Sequence, residues 1–298
     1  MGENMRIDAR WIPAFVSVAL FTSVGCGWGQ ESHRLESPDG KNVVLVEVED
    51  GKLVYSIDRE DWKLILPSGL GFEFRGAPPM GSGLVISEVS RNSVDEAWEQ
   101  PWGELRYVRD HHNELRVSAT ETDGPGRSFD VVFRAFDDGI AFRYELPQQA
   151  NLDEFEIMDE LTEFQFAEDP KAWWIPANDP THRYELLYRH SPLSTMPEVH
   201  TPLTLVTLEG LHLVIHEANL VDYAGMNLTA SMGRRLSVTL PAWADGVKVR
   251  GRTPFVTPWR TFQVAESAAA LLPSLLGRNL YPPSASADMS WIDPMTCI

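Results

Sequence analysis

Between Leu35 and Leu240 the chain runs through short apolar–polar alternations separated by turn residues. Asn42-Val-Val-Leu-Val-Glu-Val48 is followed by the turn Asp50-Gly-Lys52 and then by Leu53-Val-Tyr-Ser-Ile57. This is a hairpin signature, in which the Asp-Gly pair supplies the positive φ angles of a tight turn. Leu84-Val-Ile86, Glu114-Leu-Arg-Val-Ser118 and the run Phe129 to Phe136 repeat the pattern. Asp137-Asp-Gly139 then turns the chain into Ile140–Leu146, with Ile140, Phe142 and Tyr144 on one face and Arg143 and Glu145 on the other. Phe164 and Phe166, Leu203–Leu208 and Leu211–Ile215 continue the series, and helical periodicity is absent until Glu266–Leu276. Strands at this spacing, with no linker among them, predict an all-β fold: one large two-sheet sandwich over residues 30–276. Paired prolines in Leu280-Tyr-Pro-Pro-Ser284 predict a linker within 277–298.

The N-terminus carries a different pattern. Arg6 and Arg10 precede an apolar run from Trp11 to Val24, which passes into small residues between Gly25 and Gly29. Charged, apolar, small is the order of a secretory leader, here residues 1–29, and it implies export to the periplasm or beyond. The run is too short for a membrane span. Ser23-Val-Gly-Cys26 resembles a degraded lipobox and leaves lipid anchoring through Cys26 as the lesser alternative. The two cysteines, Cys26 and Cys297, lie at opposite ends, which excludes a disulfide framework and thiol chemistry. Of 298 residues 43% are hydrophobic, enough for a substantial core, and the net charge of −18 argues against a nucleic-acid partner.

The densest chemistry lies in Ile215-His-Glu-Ala-Asn-Leu-Val-Asp-Tyr-Ala-Gly-Met-Asn-Leu228. Glu217 stands where hydrophobic alternation stops, with Asp222, Tyr223, Gly225 and Asn227 behind it. Oxygen donors in a strand-end loop suit a hard cation or a sugar hydroxyl. A strand-terminal Glu bonded to nearby backbone is the plainer alternative, because one carboxylate does not make a site. His216 has no second histidine at ligand spacing. His111 and His112 are adjacent, so in a strand they point to opposite faces, and both read as solvated or loop residues. Trp98, Trp102, Trp173, Trp174, Trp243, Trp259 and Trp291 are either core fillers or platforms for sugar rings. Trp173-Trp174 is the best surface pair, since adjacent strand residues face opposite ways. Acids are everywhere, but no pair stands out as hydrolytic, and Glu160-Leu-Thr-Glu163 reads as a structural partner of Arg143. There is no Gly-x-Ser-x-Gly elbow and no phosphate-cradling glycine loop.

In order and spacing, Ser37-Pro-Asp-Gly40, Asp50-Gly-Lys-Leu53, Trp98-Glu-Gln-Pro-Trp-Gly103, Asn113-Glu-Leu115, Phe133–Tyr144 and Glu160-Leu-Thr-Glu-Phe164 resemble the N-terminal domain of glycoside hydrolase family 97. Trp173-Trp-Ile-Pro176, Thr201-Pro-Leu-Thr204, Glu217–Leu228, Thr257-Pro-Trp-Arg-Thr261 and Ser290-Trp-Ile292 extend the match from about residue 35 to 293. The resemblance implies a galactose-mutarotase-like super-sandwich from an exported, calcium-dependent α-glucosidase or α-galactosidase. It implies that Glu217, in the family's Glu-Ala-x-Leu motif, is the sandwich's one Ca2+ ligand, the other ligands and the catalytic carboxylates belonging to a (β/α)8 barrel. On this reading no residue here is catalytic, and Asp222, Tyr223, Trp173 and Trp174 are the substrate-facing candidates for an α-linked oligosaccharide. The chain departs from the family pattern at Asp293-Pro294, followed by Met-Thr-Cys-Ile298, where family chains pass into the barrel. A free-standing carbohydrate-binding protein and a non-functional truncated product are the alternatives.

Overall fold

A computed structural model describes residues 31–100, 103–177, 184–231 and 233–282. The expected leader, both cysteines, Trp102, Trp291 and the motif around Ser290 lie outside the described residues. The fold is the expected antiparallel super-sandwich. One sheet has eight strands, ordered His33–Glu36, Asn42–Glu49, Lys52–Arg59, Trp62–Gly69, Glu163–Phe166, Arg235–Thr239, Asn227–Ser231 and Glu198–His200. The other runs Arg189–Pro192, Lys171–Trp174, Leu203–Val206, His212–Ala218, Trp259–Ala265, Gly139–Leu146, Ser128–Phe136, Tyr107–Glu121 and Leu84–Glu99, with Phe255–Val256 alongside Gly139–Leu146. A smaller sheet, Val249–Arg252, Glu154–Glu160 and Phe72–Phe74, completes the sandwich. No described helix is long and apolar enough to cross a membrane.

Alternation explains the core. Leu213 and Ile215, Phe262 and Val264, Ile140, Phe142 and Tyr144, and Phe129, Val131 and Phe133 all face inward and are buried. The Asn42–Glu49/Lys52–Arg59 hairpin turns through Asp50 (φ 48°) and Gly51 (φ 75°), as its Asp-Gly pair requires. Gly139 is φ 151°, and a Cβ there would stand 2.4 Å from the Phe262 carbonyl oxygen, so only glycine admits this close approach of strands.

The outer face of the larger sheet holds a second apolar cluster: Val132, Phe136, Ala141, Ala218, Trp259, Leu276 and Leu280. Residues 277–280, expected in the linker, instead form a 3-10 turn that packs here. Its Asn279 accepts from Trp98 Nε1 (2.9 Å) and donates to the Arg109 carbonyl (2.9 Å). Asp138 ties the same segment down by accepting from Ser274 Oγ and the Leu275 N–H. The helical stretch expected over 266–276 is a single α-turn, Ala268–Leu271, capped by Ser267.

Arg143 and His112 take other places than the sequence predicts. Arg143 cannot reach Glu160, because it alternates onto the outer face, where it pairs with Glu145 (2.5 Å) and stacks over Trp259. His112 is not solvated: it sits within Tyr107–Glu121, 1% exposed, against Phe136 and 2.6 Å from Asp110 Oδ1.

Candidate functional site

Glu217 and Arg260 are cross-strand partners on His212–Ala218 and Trp259–Ala265. Each continues an inward-facing apolar row, Leu213–Ile215 and Val264–Phe262, so alternation drives a carboxylate and a guanidinium into one end of the sandwich. Arg260 Nη1 donates to Glu217 Oε2 (2.8 Å), and the Met226 N–H donates to Oε1 (3.0 Å). The remaining fork of Arg260 is bidentate to Glu160: Nε to Oε1 at 2.9 Å and Nη2 to Oε2 at 2.5 Å. Arg260 and Glu160 are fully buried, and Glu217 is 10% exposed.

Glu160 collects two further donors, Thr162 Oγ1 on Oε1 (2.9 Å) and Tyr223 OH on Oε2 (2.8 Å). Because Thr162 donates to Glu160, the 2.6 Å contact between Tyr144 OH and Thr162 must have Tyr144 as donor, and the Gly71 N–H in turn donates to Tyr144 OH. The chain of donors therefore converges on Glu160. Burial by itself would raise the pKa of Glu160, but the charge of Arg260 and these hydrogen bonds outweigh it and hold the carboxyl below its ordinary value. Burial likewise opposes the charged form of Arg260, and Glu160 more than restores it. Burial first, and then the Glu160 charge, push the Tyr223 hydroxyl well up, so it remains a donor. Two carboxylates thus share one guanidinium.

Two clefts open beside this group and share Gly225 and Pro241. One, of about 450 Å3, is lined by Glu217, His216, Glu198, His200, Asn227 and Tyr184, among others. Partial desolvation lowers the pKa of His216, offset in part by the charge of Glu217. Asn227 donates to Glu198 Oε1 (3.0 Å) and its Oδ1 lies 3.1 Å from His200 Nδ1. The second cleft, about 670 Å3, is walled by Asp222, Tyr223, Trp243 and Phe255. Asp222 sits at φ 50°, in the tight loop after the strand.

The structure thus brings Glu217, Asp222 and Tyr223 to one end of the sandwich and leaves the tryptophan pair outside both clefts. Trp173 is 39% exposed and stacks on His190 at 4.3 Å. Trp174 is a correction: its indole is buried and its Nε1 donates to Ser191 Oγ, so it offers no face to a sugar. Sequence reasoning missed Arg260 and Glu160. The available signal was the parity of Arg260 with Phe262 and Val264, a charge inside an apolar row.

A cation is testable against these donors. Each Glu217 oxygen accepts one hydrogen bond and keeps a second lone pair, and the group carries one carboxylate more than it has guanidinium. Glu217 therefore fits as a single ligand. It does not fit as a complete site, since among the described residues no three His, Cys, Asp or Glu side chains gather as a metal-binding group.

The fold and site define an antiparallel β-sandwich domain with a buried ionic group and two clefts at one end. The chain belongs to the family described as "Glycosyl-hydrolase 97 N-terminal", whose model matches residues 35–283. It is similar to a glycoside hydrolase family 97 enzyme from Pseudoalteromonas sp. strain K8, solved in complex with panose, at 40% identity and a TM-score of 0.85, over 88% of this chain and 40% of that one. It is also similar to a retaining alpha-galactosidase of Bacteroides thetaiotaomicron (25% identity, 89% of this chain, 43% of the relative). A Streptomyces bingchenggensis protein with the description "Probable retaining alpha-galactosidase" matches at 29% over 76% of this chain and 34% of the relative. The chain thus spans well under half the length of these relatives.

Proposed function

We propose that residues 31–282 are the N-terminal sandwich of an exported, calcium-dependent α-glycosidase acting on α-linked gluco-oligosaccharides. In this reading Glu217 is the domain's Ca2+ ligand, and the clefts around Asp222 and Tyr223 shape the substrate-facing surface. The observation that carries it is the Glu217 carboxylate, held from behind by Arg260 and the Met226 N–H and lining a cleft in front. Calcium bound there would supply electrostatic stabilisation close to the sugar. This chain's own residues orient one oxygen ligand and form one wall. The gluco preference is supported by 40% identity to an enzyme solved with panose and with acarbose, against 25% and 29% for the galactosidase relatives. The order of charged, apolar and small residues over 6–29 supports export.

The test is a chimera in which residues 31–282 replace the matching segment of the Pseudoalteromonas enzyme. Panose hydrolysis should depend on calcium, and Glu217→Gln should raise the calcium requirement at least tenfold. An unchanged requirement in a folded variant rejects the assignment. The sugar preference is read separately, by comparing p-nitrophenyl α-glucoside with the α-galactoside on the polypeptide that carries this domain.

A sugar-binding role without catalysis draws on Trp243, 67% exposed on the wall of the larger cleft. Calorimetry of the chain with maltotriose tests it, and the absence of heat removes it.

A further inference from the structure

The cation reading names one residue, Glu217, yet the geometry around it is set by two others that reach neither cleft. Arg260 is fully buried and, among the described residues, is the side chain that holds Glu217. Its orientation is in turn not its own. Three of its N–H vectors are committed, two of them to Glu160 in a bidentate fork. Glu160 cannot shift to follow Glu217, because Thr162 and Tyr223 occupy its other acceptor positions and Tyr144 locks Thr162. The order of constraint therefore runs from the small sheet outward: Glu160 fixes Arg260, and Arg260 fixes Glu217.

Charge follows the same path. If Arg260 faced Glu217 alone, the pair would be neutral and a cation would compete with a full guanidinium for the carboxylate. Because Glu160 takes the bidentate side of that guanidinium, Glu217 receives a single N–H contact and the trio carries an excess of one negative charge. Glu217 and Glu198 line the same cleft, so a second carboxylate stands beside that excess. The arrangement makes the cleft attractive to a hard cation only while Glu160 keeps hold of Arg260.

We infer that Glu160 and Arg260 are positioning residues for the Glu217 ligand, and that Glu160, which touches no cleft, sets the affinity of this chain for a hard cation. The inference rests on the calcium reading above and adds to it the residues that tune the ligand. It predicts that neutralising Glu160 weakens cation binding even though Glu217 is untouched, because Arg260 then gives its whole charge to Glu217.

The experiment is a terbium(III) titration of the full chain, followed by sensitised luminescence and by displacement with calcium. Wild type should bind, Glu217→Gln should abolish the signal, and Glu160→Gln should weaken it at least fivefold with an unchanged circular dichroism spectrum. Glu160→Gln within twofold of wild type overturns the inference while leaving Glu217 as the ligand. Wild type that gives no terbium signal also overturns it, since the excess charge then attracts no cation, and the calcium reading is judged by the chimera alone. Equal binding by wild type and Glu217→Gln rejects both. Should Glu160→Gln fail to fold, Tyr223→Phe serves instead. It removes one donor to Glu160, keeps every charge, and should shift the affinity two- to threefold, and no shift overturns the inference.

Discussion

Among the described residues, two fully buried arginines, Arg127 and Arg260, pair with glutamates, and the two groups differ in arithmetic. Arg127 faces one carboxylate, Glu121, through Nε (2.9 Å) and Nη2 (2.5 Å), and spends a further N–H on the Pro78 carbonyl. Both side chains are buried, charges balance, and Phe74 covers the guanidinium. Arg260 faces two carboxylates, and the second of them borders a cleft. A balanced pair sealed in the core is a device of folding. An unbalanced trio at the end of the sandwich keeps a charge the fold does not need, and that surplus is what a ligand can use.

The comparison breaks most sharply at Arg260. Arg260→Leu leaves the buried Glu160 and the cleft-lining Glu217 without their counter-charge and should cost about 3–5 kcal/mol, measured by urea unfolding at neutral pH. A loss below about 1 kcal/mol would mean the trio is not ionised as described. Next comes the balanced pair. Arg127→Met alone should cost about 3 kcal/mol, whereas Glu121→Leu with Arg127→Met should be close to neutral, because the double change removes both desolvated charges. If the double variant is as unstable as the single, the pair is more than a balanced plug. A smaller effect is expected at Tyr223→Phe, which removes one hydrogen bond to a charged acceptor and should cost about 1.5 kcal/mol.

Titration separates Glu160 from a further glutamate, Glu168, by sign. Glu160 is held below its ordinary value of 4.5, so its contribution is present above that pH and is lost as the pH falls through the lower folded value. Glu168 moves the other way. Burial and the neighbouring Glu209 raise its pKa above 4.5, against a hydrogen bond from the Leu208 N–H. Its contribution is present below 4.5 and is lost as the pH rises through the raised value. Urea midpoints measured between about pH 3 and 7 should therefore lose their acid-side fall in Glu160→Gln and their small rise toward acid in Glu168→Gln. The same sign in both variants would contradict the two environments.

Most strands were legible because inward rows such as Leu213–Ile215 and Ile140–Tyr144 alternate without interruption. The long hairpin was not. Leu84–Glu99 and Tyr107–Glu121 extend far beyond the apolar runs at Leu84–Ile86 and Glu114–Ser118, since an edge strand exposed to water needs no apolar alternation. Glu217 was visible as the acid that ends an apolar row. Its partners were not, because Arg260 lies 43 residues away and Glu160 lies 100 residues from Arg260, joined only by register and packing. Periodicity reports which face a side chain takes, and it is silent on what waits across the sheet. Trp174 shows the same limit: the pair was known to split between faces, but the inward member could be named only once the core was in view.

The second apolar cluster, closed by Leu276 and Leu280 over Trp259, has a consequence in time. Strands Ser128–Phe136, Gly139–Leu146 and Trp259–Ala265 have the main core on one side and this cover on the other, so stretches of their backbone amides have no solvent-facing escape. In deuterated water those amides should be the last to exchange, opening only when the whole domain does. Leu280→Ala should hasten them first around Trp259 and leave the hairpin Asn42–Arg59, on the opposite sheet, on its original clock.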